Sequence, residues 1–221
     1  MKQIAQQLRN GEIFLLDLPT PKVQSGHLLI KSYVSLLSSG TERMLLDFGK
    51  SNIIEKIKNQ PEKAQEVIEK INTDGLMPTF KAVNNKLNTL IPIGYSNVGR
   101  VIEVGEGVNG FKVGDRVVSN GPHAEIVSVP KNLCAHIPDN VRDEEASFTV
   151  VSAVGLQAVR LSNPTFSETF LVIGLGLVGL LTAQILKANG CKVLAYDLDY
   201  KKCEIAKELG INAYFLKDPF D

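Results

Sequence analysis

The chain has 221 residues, 44% apolar and 22% charged, which is room for one large or two modest soluble domains and excludes a disordered tail, a coiled coil or a collagen-like rod. Lysine plus arginine and aspartate plus glutamate both number 24, so no global charge draws the chain to nucleic acid. No apolar run approaches the ~18 residues that span a bilayer, and Met1 to Arg9 lacks the apolar segment of a signal peptide, so a cytoplasmic protein with no nucleic-acid or membrane partner is expected.

In chain order, Glu12 to Leu18 predicts a strand stopped by Pro19-Thr20-Pro21, and His27 to Leu37, rich in Leu, Ile, Val and Tyr, predicts a second. Ser38-Ser39-Gly40-Thr41 reads as a polar turn. The character changes from Asp47 to about Leu90, where Pro61, then Ala64, Val67, Ile68 and Ile71 at helical spacing, predict a helical insertion with a solvated charged face. Residues 91–130 return to β: Ile93 to Gly105 alternates apolar and polar with glycines at bends, followed by Phe111 to Val118 and His123 to Pro130. Asp143 to about Leu161 predicts one helix, with acids in its first turn and Ala146, Val150, Ala153 and Val154 on one face.

Thr169 to Ile173 is a short continuous apolar run, expected of a parallel strand buried on both faces. Gly174-Leu175-Gly176-Leu177-Val178-Gly179 follows at once, and a helix continues to Ala188 before Asn189-Gly190. A second strand, Lys192 to Tyr196, ends at Asp197, about twenty residues past the first glycine. Strand, glycine loop, helix and acid together are the context a dinucleotide-binding loop requires. Gly174 permits the tight turn, Gly176 admits a pyrophosphate to the backbone, and Gly179 lets helix and strand pack closely. The helix N-terminus favours phosphate, and Asp197 can accept ribose hydroxyls while repelling a 2′-phosphate, which predicts NAD over NADP. Tyr200 to Leu209 and Asn212 to Leu216 supply a second helix and third strand, the 3-2-1 half of a doubly wound sheet.

A β unit followed by such a fold, with Gly99 to Gly105, Phe111-Lys112-Val113-Gly114-Asp115-Arg116-Val117 and Gly174 to Gly179, resembles the medium-chain dehydrogenase/reductase superfamily. The resemblance implies an α/β chain: a GroES-like β-rich catalytic domain over residues 1–160, with residues 47–90 inserted, then half of a Rossmann NAD-binding domain over 161–221. It also implies hydride transfer on a small-molecule substrate in the cleft between the domains. Zinc-dependent members place a Cys, a His and a third donor where this chain has Ser39, the Gly94-Tyr95-Ser96 turn and Thr149. The four-Cys lobe is missing between Val118 and His123, and three scattered cysteines cannot supply it. The chain is therefore similar to a zinc-free branch. Ser39-Gly40-Thr41-Glu42-Arg43, the insertion and Gly94 to Gly99 narrow the resemblance to alcohol-dehydrogenase-like proteins of bacterial glycan gene clusters. In those, this module often precedes a glucose–fructose-oxidoreductase-like domain in a longer chain.

Without zinc, hydroxyls must stabilise charge on a carbonyl oxygen. Thr41 matches the family's proton-relay position and Tyr95 replaces the ligand histidine; Ser39 and Glu42 share the Thr41 turn. His27, His123 and His136 read as near-surface histidines. The expected function is NAD-dependent oxidation or reduction of a polyol, sugar or sugar-derived carbonyl. One alternative is a non-catalytic NAD-binding scaffold or sensor within a larger glycan-processing protein, and a second is a zinc enzyme with oxygen-donor ligands. The half sheet is expected to leave the isolated chain inactive and prone to associate, with a homo-oligomer as one outcome.

Overall fold

The computed structural model describes residues 1–50 and 88–216, with Gln65, Met77 and Asn85 between them. The helix expected from Pro61 and the rest of the 47–90 insertion past Lys50 lie outside the described residues. The chain forms two compact units, Met1–His136 and Ile137–Asp221.

The first unit holds two antiparallel sheets. β1 (Lys2–Gln7) is the centre of a three-stranded sheet, between β2 (Ile13–Asp17) and β4 (Leu90–Pro92). The second has five strands in the order β7-β3-β5-β6-β8, from β3 (His27–Ser35), β5 (Asn97–Val104), β6 (Arg116–Ser119), β7 (Ile126–Pro130) and β8 (Cys134–His136). Leu28, Ile30, Val101, Val117, Val127 and Val129 pack as its core.

Three sequence expectations change here. Ser38 to Thr41 is not a free-standing turn but the entry to helix α1 (Ser39–Lys50): Glu42 N–H donates to the Ser38 carbonyl at 2.9 Å, closing the first helical turn. Ile93 to Gly105 is not one strand, because Gly94 at φ 89° turns the chain between β4 and β5; only glycine tolerates that conformation readily. Phe111 to Asp115 is a turn, in which the Asp115 carboxylate accepts the Lys112 N–H at 2.8 Å, so β6 starts only at Arg116.

In the second unit the single expected helix over 143–161 is broken. α2 (Asp143–Ala146) stops at Ser147 and α3 (Thr149–Ser162) begins two residues on. Its buried stripe is Val151, Gly155 and Val159, at spacing four, rather than Val150, Ala153 and Val154. A Cβ on Gly155 would lie 2.6 Å from Thr182 Oγ1, so α3 crosses closely over α4 (Leu177–Ala188). The compact boundary at 136 therefore differs from the sequence boundary at 160 by α2 and α3, which belong with the second unit.

Strands β9 (Thr169–Ile173), β10 (Lys192–Asp197) and β11 (Asn212–Phe215) form a parallel sheet in the order β11-β10-β9, as expected, with α5 (Tyr200–Glu208) between the last two. Asp199 caps α5 by accepting the Lys201 N–H. Leu175, Ala183, Leu186, Val193, Ala195, Cys203 and Ala206 are among the core of this unit. β9 is not buried on both faces: Phe170 and Val172 pack on that core, while Leu171 and Ile173 are 60% and 67% exposed.

Candidate functional site

Two constellations emerge, one in each unit. In the second unit, the Gly174 N–H donates to the Tyr196 carbonyl at 2.9 Å, tying the loop to the end of β10. Gly174 has φ 89°, which makes the loop a tight turn, and a Cβ on Gly179 would fall on the Gly174 carbonyl oxygen, so helix and loop pack closely there. Gly176 caps α4, with open space where its Cβ would be, so the backbone there is free for a ligand to approach. Leu177 and Val178 open the helix, and Leu175 is fully buried beneath the loop.

Asp197 sits at the rim of an open concavity of about 420 Å³, lined by Ile173, Gly174, Tyr196, Leu198, Asp199 and Lys202. Its Oδ2 accepts the Leu175 N–H at 2.7 Å and its Oδ1 the Asp199 N–H at 2.8 Å. A carboxylate has about four acceptor positions, so capacity remains for ribose hydroxyls. Burial acts to raise the Asp197 pKa, but the two N–H groups and the Lys202 ammonium outweigh it and hold the carboxyl below its ordinary range. Lys202, 3.6 Å from Asp197 Oδ1 and 4.0 Å from Asp199 Oδ2, is a site residue the motif reading missed. Its signal was a cation in the first turn of the helix that follows the acid.

In the first unit, Thr41 and Tyr95 come together from positions 54 apart in sequence: Tyr95 Oη donates to Thr41 Oγ1 at 3.3 Å. Ser38 Oγ donates to the same oxygen at 3.4 Å. Both are longer than the ~2.7–2.8 Å usual for hydroxyl pairs, so these hydroxyls can re-aim toward a ligand at small cost. Ser39 is exposed on the first turn of α1, apart from this pair. Glu42 points the other way, into the protein. It is 7% exposed, and its Oε1 accepts the Ser38 N–H at 3.0 Å and lies within hydrogen-bond distance, 3.2 Å, of His123 Nε2. His123 is therefore not a near-surface histidine: it is also 7% exposed, and its Nδ1 contacts Ser35 Oγ at 2.9 Å. His136 is on the surface, stacked on Phe111 at 4.4 Å, and His27 Nδ1 meets the Ser25 carbonyl. Thr149 opens α3, in the other compact unit.

Residues 70–139 match the family described as the alcohol dehydrogenase GroES-like domain. Over 148 residues the chain is 33% identical to (R,R)-butanediol dehydrogenase of Bacillus subtilis, an alignment covering 54% of this chain and 43% of that protein. It is 30% identical to the sorbitol dehydrogenase of Halalkalibacterium halodurans over 155 residues, 55% of this chain and 45% of the relative. The chain thus spans under half the length of these curated relatives. Among solved structures, the 2R,3R-butanediol dehydrogenase of Bacillus subtilis superposes with a TM-score of 0.71 at 23% identity, covering 100% of this chain and 64% of that one. The NADPH complex of Escherichia coli quinone oxidoreductase gives 0.73 at 16% identity, covering 100% and 60%. These structures share the fold. The chain thus has a segment that matches the alcohol dehydrogenase GroES-like domain, followed by Rossmann-type elements, and is similar over part of its length to these dehydrogenases.

Proposed function

We propose that the chain belongs to a cytoplasmic, NAD(H)-dependent oxidoreductase that transfers hydride on a polyol, sugar or sugar-derived carbonyl without catalytic zinc. The observation that carries this reading is the loop from Gly174 to Gly179, whose geometry leaves open backbone above the α4 N-terminus and a spare acceptor edge on Asp197. A pyrophosphate fits the first and ribose hydroxyls the second. When bound, the nicotinamide supplies or takes the hydride.

The protein's own part is to stabilise charge on the substrate oxygen. Thr41 Oγ1 already accepts from Tyr95 and Ser38. A hydroxyl has two acceptor positions and one proton, so the Thr41 proton is left to donate to a substrate oxygen, with Tyr95 as the neighbouring donor. Ser39 is assigned a substrate-contacting role on the same turn, and Glu42 holds that turn from inside. Zinc does not fit this donor set. Ser39 and Tyr95 offer neutral hydroxyls where thiolate or imidazole is needed. No step is routed through a metal. A further C-terminal domain and a homo-oligomer remain part of this proposal.

The same replacement of zinc donors favours a second reading, an NAD-binding scaffold or sensor without turnover. Titrating NADH and NADPH into the chain by cofactor fluorescence, then assaying NAD reduction with butane-2,3-diol and sorbitol on the longer, full-length protein proposed here, separates the two. Tighter NADH binding and hydride transfer are expected. Asp197→Ser is expected to narrow the preference for NADH. NADPH binding at least as tightly as NADH would overturn the Asp197 assignment, and binding without turnover would favour the scaffold. Elemental analysis of the dialysed protein is expected to find far less than one zinc per chain.

A further inference from the structure

His123 is held on every side. Its N–H donates to the Ile93 carbonyl at 2.9 Å and its carbonyl accepts the Ile4 N–H at 2.9 Å, fixing the backbone to β1 and to the residue before Gly94. Its ring occupies the space a Gly94 side chain would need: a Cβ there would lie 2.6 Å from Cγ and Cδ2 and 2.7 Å from Nε2. Nε2 meets Glu42 and Nδ1 meets Ser35. Nε2 is the ring nitrogen that faces the Glu42 carboxyl oxygen, at 3.2 Å.

Two of the three residues the imidazole touches each adjoin one of the hydroxyl-bearing residues. Gly94 immediately precedes Tyr95, and Glu42 immediately follows Thr41. Glu42 in turn holds Ser38, the third member of the hydroxyl cluster. Burying a polar pair costs stability that an apolar pair of the same size would not. What this pair adds is a fixed separation between two segments far apart in sequence.

We propose that His123 is a positioning residue whose imidazole, wedged against Gly94 and hydrogen-bonded to Glu42, sets the approach of the Tyr95 hydroxyl to Thr41. The proposal rests on the reading of Thr41 and Tyr95 as the reacting hydroxyls, and its test is independent of turnover. In the full 221-residue chain, deuterated except for tyrosine rings and threonine methyls, the nuclear Overhauser cross-peak between the Tyr95 ring and the Thr41 methyl reports that approach, with Y95F and T41V assigning it. H123L is expected to lose the cross-peak with the fold intact by amide-proton dispersion. H123Q, whose amide can still donate to Glu42, is expected to keep it. E42A removes the acceptor shared by His123 Nε2 and the Ser38 N–H and is expected to lose the cross-peak too, so that an undiminished cross-peak there still decides against the proposal if H123L does not fold. An undiminished cross-peak in folded H123L or E42A, or its loss in H123Q, overturns the proposal. In a parallel assay of the longer, full-length protein with NAD and butane-2,3-diol, H123L is expected to lower kcat by about tenfold with the KM for NAD unchanged, and H123Q to restore it. Full-length wild-type protein without turnover would overturn the oxidoreductase reading, while the cross-peak series in the 221-residue chain still decides the role of His123.

Discussion

Asp197 joins the glycine loop to the strand that follows it, and its ionisation is part of that joint. Its carboxylate accepts N–H groups from Leu175 in the loop and Asp199 beyond β10, and they, with Lys202, hold its folded pKa below the ordinary 3.8 against the opposing effect of burial. A folded pKa below the unfolded one means that the unfolded chain binds the proton more readily as pH falls. The stabilisation is therefore fully present above the ordinary carboxylate range and is lost as pH drops through the folded pKa. Asp197→Asn is expected to lower the thermal midpoint at pH 7 and to flatten its fall in acid; an acid limb unchanged by the substitution would contradict this. Cys134 shows the reverse sign. Burial pushes its thiol up to about 11, so at pH 8 it is protonated and a poor nucleophile. Iodoacetamide at that pH is expected to leave Cys134 unmodified in folded protein, as read by mass spectrometry of its peptide, and to modify it in denaturant.

Among the elements, β9 and α4 are fitted together at Gly179, where any side chain would meet the Gly174 carbonyl. Gly179→Ala has to push α4 away from the strand. Such overpacking costs about 1–3 kcal/mol, so the thermal midpoint is expected to fall and NADH titration to weaken markedly, with the far-ultraviolet circular dichroism spectrum retained. NADH binding equal to wild type would show that the loop does not hold the cofactor. This element pair was legible from the sequence because its requirements are local: a strand, three glycines, a helix and an acid follow one another within a single βαβ unit. α1 was not, since Ser38-Ser39-Gly40-Thr41 has turn chemistry and becomes helical only through the Glu42 bonds to Ser38. β1 was not, because its short amphiphilic run is made a strand by pairing with β2 and β4. The role of His123 was invisible for the same reason, its partner Glu42 lying 81 residues away. Thr41 and Tyr95 were named on resemblance alone, and their contact depends on tertiary structure that no local pattern encodes.

At the scale of the whole molecule, the parallel sheet of the second unit has one side of β9 unpaired among the described residues, since the order is β11-β10-β9. A free strand edge offers a row of backbone donors and acceptors to any extended chain that meets it. Here Leu171 and Ile173 stand exposed on one face of that strand, with Phe166 and Leu161 exposed nearby in sequence, and apolar surface beside an open edge makes pairing favourable. No charged residue lies on β9 to blunt it: the strand reads Thr169-Phe170-Leu171-Val172-Ile173. The 221-residue chain is therefore expected to associate with rising concentration, the formal charge of zero giving little repulsion to oppose it. Light scattering coupled to size exclusion is the measurement. Leu171→Lys and Ile173→Lys place a charge on the exposed face without entering the core formed by Phe170 and Val172, so the double variant is expected to shift toward monomer with its helical signal intact. A wild-type chain that stays monomeric across the accessible concentration range would show that this edge is not the adhesive one, and an associating double variant would place the contact elsewhere on the molecule.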